Sequence, residues 1–196
     1  MRLEDRIDPT LKLPQNFYTD IAHYKEILKK WNRIHNLTGA KDEETIDAFI
    51  ADAVGGVAVL KEYANRVNSV VDIGSGAGFP GMILAIAMPQ TSFTLVEPLN
   101  KRASFLSFCV ATIGLKNVTV LKQRAEDVKP FAYDVVTSRA VTDTKMLLKL
   151  SEHLRDSDSI LLFYKGENVY NEVDKTMNHK IIKQNSRHYL IIGENI

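Results

Sequence analysis

The sequence predicts a doubly wound α/β sheet behind a helical N-terminal cap, on three observations. From residue 67 onward, short apolar strands alternate with helical stretches. The first of these strands runs into a glycine-rich turn, "VVDIGSGAGFPG", residues 70 to 81. Before that point the apolar residues recur at helical spacing instead. The expected division is a helical N-terminal extension, 1–64, packed on a Rossmann-like core, 65–196, as one compact unit.

The elements follow in order. Residues 16–34 put Phe17, Ile21, Tyr24, Leu28 and Trp31 at steps of four and three, one helical stripe, while Lys25, Lys29, Lys30 and Arg33 cover other faces. "HNLTG" ends that helix. Residues 43–62 read as a second helix, with a kink expected at Gly55-Gly56. "VNSVVDI" (67–73) is a buried strand, and 80–88 a helix with Pro80 near its first turn, where the missing N–H costs nothing. "SFTLVE" (92–97) is the second strand. A helix over 100–113, strands at 117–122 and 133–138, a helix over 142–154 and a strand at 159–165 continue the alternation. Residues 167–177 read as another helix. "HKIIKQ" and "RHYLIIG" are two late strands close enough to pair antiparallel.

Composition narrows the class. Apolar residues make up 45% and charged residues 25% of 196, ordinary for a globular chain of one domain. No apolar run approaches the roughly 18 residues of a membrane span. The charged start, "MRLEDRIDPT", lacks the apolar stretch of a signal peptide. The single cysteine, Cys109, permits no internal disulfide, so a cytoplasmic location is expected. The five histidines show no metal-ligand spacing, and no metal is expected. With a net charge of +1, any nucleic-acid surface must be a local patch. No membrane partner is expected, and the chain reads as a monomer.

The glycine-rich turn holds two registers. Gly76, Gly78 and Gly81 make the dinucleotide spacing G-x-G-x-x-G. Gly74, Gly76 and Gly78 behind Asp72 make D-x-G-x-G-x-G. The strand ends near Asp72 or Ile73, so Gly74 opens the turn. A pyrophosphate there would want positive potential, which Asp72 opposes. A ligand with an ammonium group suits that carboxylate. S-adenosylmethionine carries an α-amino group, a sulfonium cation and no phosphate, which favours the second register. Glu97 ends the next strand, roughly 20 residues on, where a carboxylate can accept both ribose hydroxyls. An NAD-dependent oxidoreductase and a non-catalytic nucleotide-binding module are the alternatives from other classes. Calorimetry with each cofactor, and transfer of a labelled methyl, separate them.

The motifs "NRIHNLTGAKD", "DIGSGAGFPG", "EPLNKRASFL", "QRAEDV", "DVVTSRAV" and "YKG" resemble the class I S-adenosylmethionine-dependent methyltransferases. Within that class they resemble the bacterial small-subunit (16S) ribosomal RNA guanine-N7 methyltransferases, the glucose-inhibited division protein B family. The resemblance implies S-adenosylmethionine as cofactor and 16S ribosomal RNA or the small ribosomal subunit as partner. It implies Gly74 and Phe79 in the cofactor loop, Ala125 and Glu126 at the adenine, and Arg139 at both cofactor and target base. The chain departs from the family pattern at Phe49 and Ala53, where a histidine and a serine are usual. It departs also at Glu97-Pro98 and in the tail "RHYLIIGENI", which lacks a basic ending.

Guanine N7 has an exposed lone pair and no proton, so its methylation needs no general base, only positioning. That chemistry fits a sequence without an obvious nucleophile. Cys109 sits mid-helix and reads as a buried small hydrophobe. Arg139, the catalytic candidate, can fork to guanine O6 or to a phosphate. Arg33, Asn36, Lys101, Arg102 and Lys165 are the candidates for RNA contact, with His35, Arg187 and His188 further basic positions. Asn36, with Thr38, also suits a cap that packs "NLT" on the cofactor loop. A different acceptor for the same cofactor is the nearest alternative.

Overall fold

The computed structural model describes residues 2–64, 66–174, 176–184, 187–194 and 196. Two helices come first, α1 (Phe17–His35) and α2 (Glu43–Tyr63). The core follows as β1 (Ser69–Ile73), α3 (Gly81–Ala87), β2 (Ser92–Val96), α4 (Asn100–Ile113), β3 (Val118–Leu121) and β4 (Val135–Arg139). It ends with α5 (Thr144–Leu150), β5 (Ile160–Lys165), α6 (Val169–Glu172), β6 (His179–Gln184) and β7 (Arg187–Ile192). The seven strands form one sheet in the order β3-β2-β1-β4-β5-β7-β6. The first five are parallel, whereas β7 runs antiparallel to both β5 and β6. Strand order reverses between β1 and β4, and an open sheet of this kind has its crevice there, beyond the carboxyl ends.

Alternation along β1 feeds two cores. Val70 joins the cluster under α1 to α4, while Val71 and Ile73 join the cluster on the opposite face. Both faces are covered, which is why β1 and β5 read as nearly continuous apolar runs. The side chain of Asp72 shares the Val70 face and is fully buried beneath the start of α3.

The helical cap is part of the first core, since Phe17, Ile21, Tyr24, Leu28, Ile46 and Ile50 pack with α3 and α4 residues. Asp42 caps α2 by accepting from the Thr45 N–H at 2.7 Å. No break occurs at Gly55-Gly56, which lie within one helix of 21 residues. These glycines serve packing instead. A Cβ on Gly55 would lie 2.2 Å from the Tyr189 hydroxyl, and one on Gly56 1.9 Å from the Tyr164 hydroxyl. The space lets Tyr164 donate to the Ala53 carbonyl at 3.0 Å and Tyr189 to the Asp52 carbonyl at 2.8 Å.

Two late helices are shorter than their patterns suggest. The segment 142–154 contains α5, then Ser151, then a 3₁₀ turn at Glu152–Leu154. Among the described residues of segment 167–177 only α6 is helical: Val173 already takes an extended backbone, with ψ 129°, and Asp174 accepts from the Thr176 N–H at 2.9 Å.

Candidate active site

A cavity of about 690 Å³ opens at the carboxyl ends of β1, β2 and β4. One end is built mainly from backbone. Gly74, Gly76 and Gly78 have φ of 70°, 57° and 94°, a left-handed conformation that only glycine adopts freely. Gly81, the last glycine of the dinucleotide spacing, has no such φ; a Cβ there would press on Asp72 and Leu95 at 2.5 Å. Four of the loop's N–H groups are committed within the fold. Gly74 and Ser75 donate to the Val96 carbonyl at 2.9 and 3.1 Å, Gly78 donates to Ser75 at 2.7 Å, and Gly76 donates to the Glu97 carboxylate at 2.9 Å. From α1, the Tyr24 hydroxyl donates to the Ala77 carbonyl and holds the loop from behind.

Glu97 is 2% exposed and lies on the cavity wall, its second oxygen accepting from the Leu99 N–H at 2.9 Å. Ala125 and Glu126, in a 3₁₀ turn at Ala125–Asp127, line the wall beyond it. Phe79 lines it too, edge-on to Tyr24 and to Phe49. Asp72 and Gly78 lie behind the loop rather than on the wall. Asp72 accepts from the Gly81 N–H at 3.2 Å and has one oxygen without a partner among the described residues. Burial pushes its carboxyl up to about 7, hydrogen bonding from Ser75 and Gly81 opposes this, and the nearby Glu97 charge adds to it.

The other end is built from side chains. Arg139 ends β4, and its side chain is only 7% exposed. Its guanidinium lies 3.9 Å from the centre of the Phe49 ring, a cation–π contact, and 3.8 Å from the Asp52 carboxylate. Its Nη1 has no partner among the described residues. Burial lowers its pKa to about 10, with repulsion from Arg187 adding and Asp52 opposing. Arg187, at the start of β7, donates from Nε to the same Asp52 carboxylate at 2.9 Å and reaches the cavity wall.

The remaining candidates separate. Arg102 lines the cavity, whereas Lys101 and Arg33 are exposed outside it. Asn36 is exposed as well, and it caps α1 at a φ of 49°, donating its N–H to the Asn32 carbonyl at 3.0 Å. Its neighbours Leu37 and Thr38 are the ones on the wall, held by Asn32, which accepts from the Thr38 N–H and donates to the Ala40 carbonyl. Lys165, expected to contact RNA, is not a free cation. It is 8% exposed and donates to Glu172 at 2.7 Å and to the Thr142 carbonyl at 3.0 Å. His188 is also buried. Cys109 is buried, and burial pushes its thiol up to about 12. Among the described residues no group of three His, Cys, Asp or Glu could hold a metal, and no helix is long and apolar enough to cross a membrane.

Sequence reasoning missed the joint role of Phe49 and Asp52. The available signal was their spacing, three apart on one face of α2.

Comparison with known proteins gives the chain a family and its fold relatives. Residues 18–193 match the family model described as rRNA small subunit methyltransferase G, GidB. Ribosomal RNA small subunit methyltransferase G of Wolinella succinogenes is 42% identical over 170 residues, 87% of this chain and 86% of that protein. The protein of the same name from Aliarcobacter butzleri is 41% identical over 184 residues, 93% of each. Among solved structures, a mutant of MtNAS in complex with S-adenosylmethionine has a TM-score of 0.60 at 14% identity, over 97% of this chain and 87% of that one. A ribosomal protein L11 methylase from Lactobacillus delbrueckii has a TM-score of 0.58 at 12% identity, over 76% and 80%.

Proposed function

Because the chain belongs to the rRNA small subunit methyltransferase G family, GidB, we propose that it is an S-adenosylmethionine-dependent enzyme that methylates N7 of a guanine in small-subunit (16S) ribosomal RNA. The observation that carries this is the cavity's composition. A glycine cradle and a buried carboxylate at one end face an arginine stacked on an aromatic ring at the other.

The residues present fit S-adenosylmethionine better than a dinucleotide. A pyrophosphate needs free N–H groups at the glycine turn. Here those of Gly74, Ser75, Gly76 and Gly78 are already donated, one of them to a carboxylate that would repel a phosphate. Glu97 would hold the ribose hydroxyls and Ala125-Glu126 the adenine edge. Gly74, Gly76, Gly78 and Phe79 would enclose the methionine end, with Asp72 acting on its ammonium through the loop. Bound there, S-adenosylmethionine supplies a sulfonium methyl that accepts a lone pair.

The chain's own task is then to orient and to exclude water. Among the described residues the cavity wall carries no histidine, cysteine, lysine or tyrosine. Both oxygens of Glu97 already accept backbone N–H groups. An acceptor nitrogen that carries no proton suits such a wall. Arg139 would orient the base through its fork. An unpaired or splayed guanine fits this role, because A-form RNA hides N7 in its deep groove. Arg102, at the cavity mouth, and the exposed Lys101 and Arg33 would meet phosphates. A cytoplasmic location and a monomeric enzyme, with the helical extension and the core acting as one unit, complete this proposal.

The test is mass spectrometry of 16S ribosomal RNA from cells with and without the gene. One N7-methylguanine should disappear on deletion and return with the wild-type gene. Loss of a methyl from cytosine, adenine or ribose instead would overturn the assignment.

A further inference from the structure

We propose that Phe49, from the helical cap, is a positioning residue that sets the plane of the Arg139 guanidinium for methyl transfer. The inference rests on the methyl-transfer reading above and extends it to a position where this chain carries its own residue type.

The observations are geometric. Two guanidinium groups converge on one ring, Arg139 at 3.9 Å and Arg187 at 5.6 Å from its centre. Like charges so close repel, and Asp52 offsets this by meeting both, at 3.8 and 2.9 Å. A carboxylate contact at 3.8 Å is too long for a directed hydrogen bond, so Asp52 balances the charge of Arg139 without fixing its orientation. Nη1 has no partner among the described residues either. The closest remaining contact is the face of Phe49 at 3.9 Å, with the Phe79 ring farther off at 5.7 Å, so Phe49 is placed to hold the guanidinium plane. Phe49 is itself held edge-on by Phe79, at 5.5 Å and 81°, and Phe79 borders the glycine loop. Phe49 thus links the cofactor end of the cavity to the arginine at the acceptor end. A neutral ring also leaves this link indifferent to pH, whereas a histidine would add a third positive charge in acid.

Phe49→Leu removes the π face and keeps an apolar side chain, and Phe49→Tyr keeps the face. Methyl transfer to small ribosomal subunits should fall on the order of tenfold in kcat for the leucine variant, the scale of a misoriented contact. Its cofactor Kd should stay within about twofold, and the tyrosine variant should stay near wild type, as a retained π face requires. A second readout needs no RNA. In the free protein the Arg139 Nε–H resonance should be shifted upfield by the ring in the wild type and the tyrosine variant, and return towards the unperturbed position in the leucine variant. Unchanged kcat and resonance in the leucine variant would overturn the proposal. So would equal loss of kcat in both variants. If the leucine variant fails to fold, Phe49→Met, apolar and without a π face, takes its place. A fall in kcat together with loss of the upfield Arg139 Nε–H shift supports the proposal, and unchanged kcat and resonance overturn it. A shifted wild-type resonance without transfer to ribosomal RNA would sink the proposed function and leave the positioning role standing.

Discussion

The two ends of the cavity are made in different ways. The end proposed for the cofactor comes mainly from one short run, residues 72–97, whose parts are mostly backbone atoms: glycines at positive φ, N–H groups committed to Val96 and Glu97, and the Glu97 carboxylate. Ala125 and Glu126, from a 3₁₀ turn after β3, complete the wall. The end proposed for the acceptor draws Phe49 and Asp52 from α2, Arg139 from β4 and Arg187 from β7, and it is built from largely desolvated side-chain charge. A backbone cradle can be encoded locally, because strand, turn and helix specify it together. An assembly of distant side chains exists only once the sheet order has closed. Damage to the first end should therefore appear in cofactor binding, and damage to the second in turnover.

The largest effect should come from the acceptor end. Arg139→Lys keeps the charge and loses the planar fork, so methyl transfer should drop by about tenfold or more while cofactor affinity falls less. Single-turnover transfer and calorimetry on the same sample check both halves, and equal losses would blur the division between the two ends.

At the cofactor end, a Cβ added at Gly74 would sit 2.4 Å from Val141, at a φ of 70°. Gly74→Ala should weaken cofactor binding by about 1–3 kcal/mol, the range for a strained backbone position. Isothermal calorimetry reads it directly. Glu97→Ala should raise the cofactor KM by about tenfold with much less effect on kcat, since ribose contacts are nearly the same in ground and transition states. A low kcat with normal KM would assign Glu97 to the chemistry instead.

A further effect, read in stability rather than in turnover or affinity, concerns pH. Asp72 titrates near 7 in the folded chain, against 3.8 in its ordinary state. Between those values the folded state keeps a proton that the unfolded state releases, so stability falls as pH rises through the window and levels off above about 7. Asp72→Asn abolishes this contribution. Tm measured against pH should decline more steeply for the wild type than for the variant between about pH 4 and 7, and parallel curves would show that Asp72 is not held protonated.

What the sequence revealed follows the same division. The alternation of strands and helices, the antiparallel pair at the end and the glycine register were readable, because each is set by neighbours in the chain. Asn36 has a structural reason of its own, an αL cap on α1 that suits asparagine's tolerance of that conformation, while its side chain stays exposed. Lys165 misled because its carboxylate partner, Glu172, comes from a helical turn whose position the pattern overextended. Gly55 and Gly56 read as a weak point in a helix, and their meaning lay in two tyrosines more than 100 residues away. The pairing of Phe49 with Arg139 was hidden for the same reason: periodicity reports which face of α2 is apolar, not which cation will cross it.

The most direct measurement is transfer of a labelled methyl from S-adenosylmethionine to small ribosomal subunits and to naked 16S ribosomal RNA, by the wild-type protein. The labelled nucleotide would then be located by chemical cleavage at N7-methylguanine. The wild type should label a single guanine, at N7, with the Arg139→Lys variant labelling the same site far more slowly. Label on any other base or on ribose, or no transfer by a folded protein that binds the cofactor, would contradict the assignment of this cavity to guanine N7 methylation.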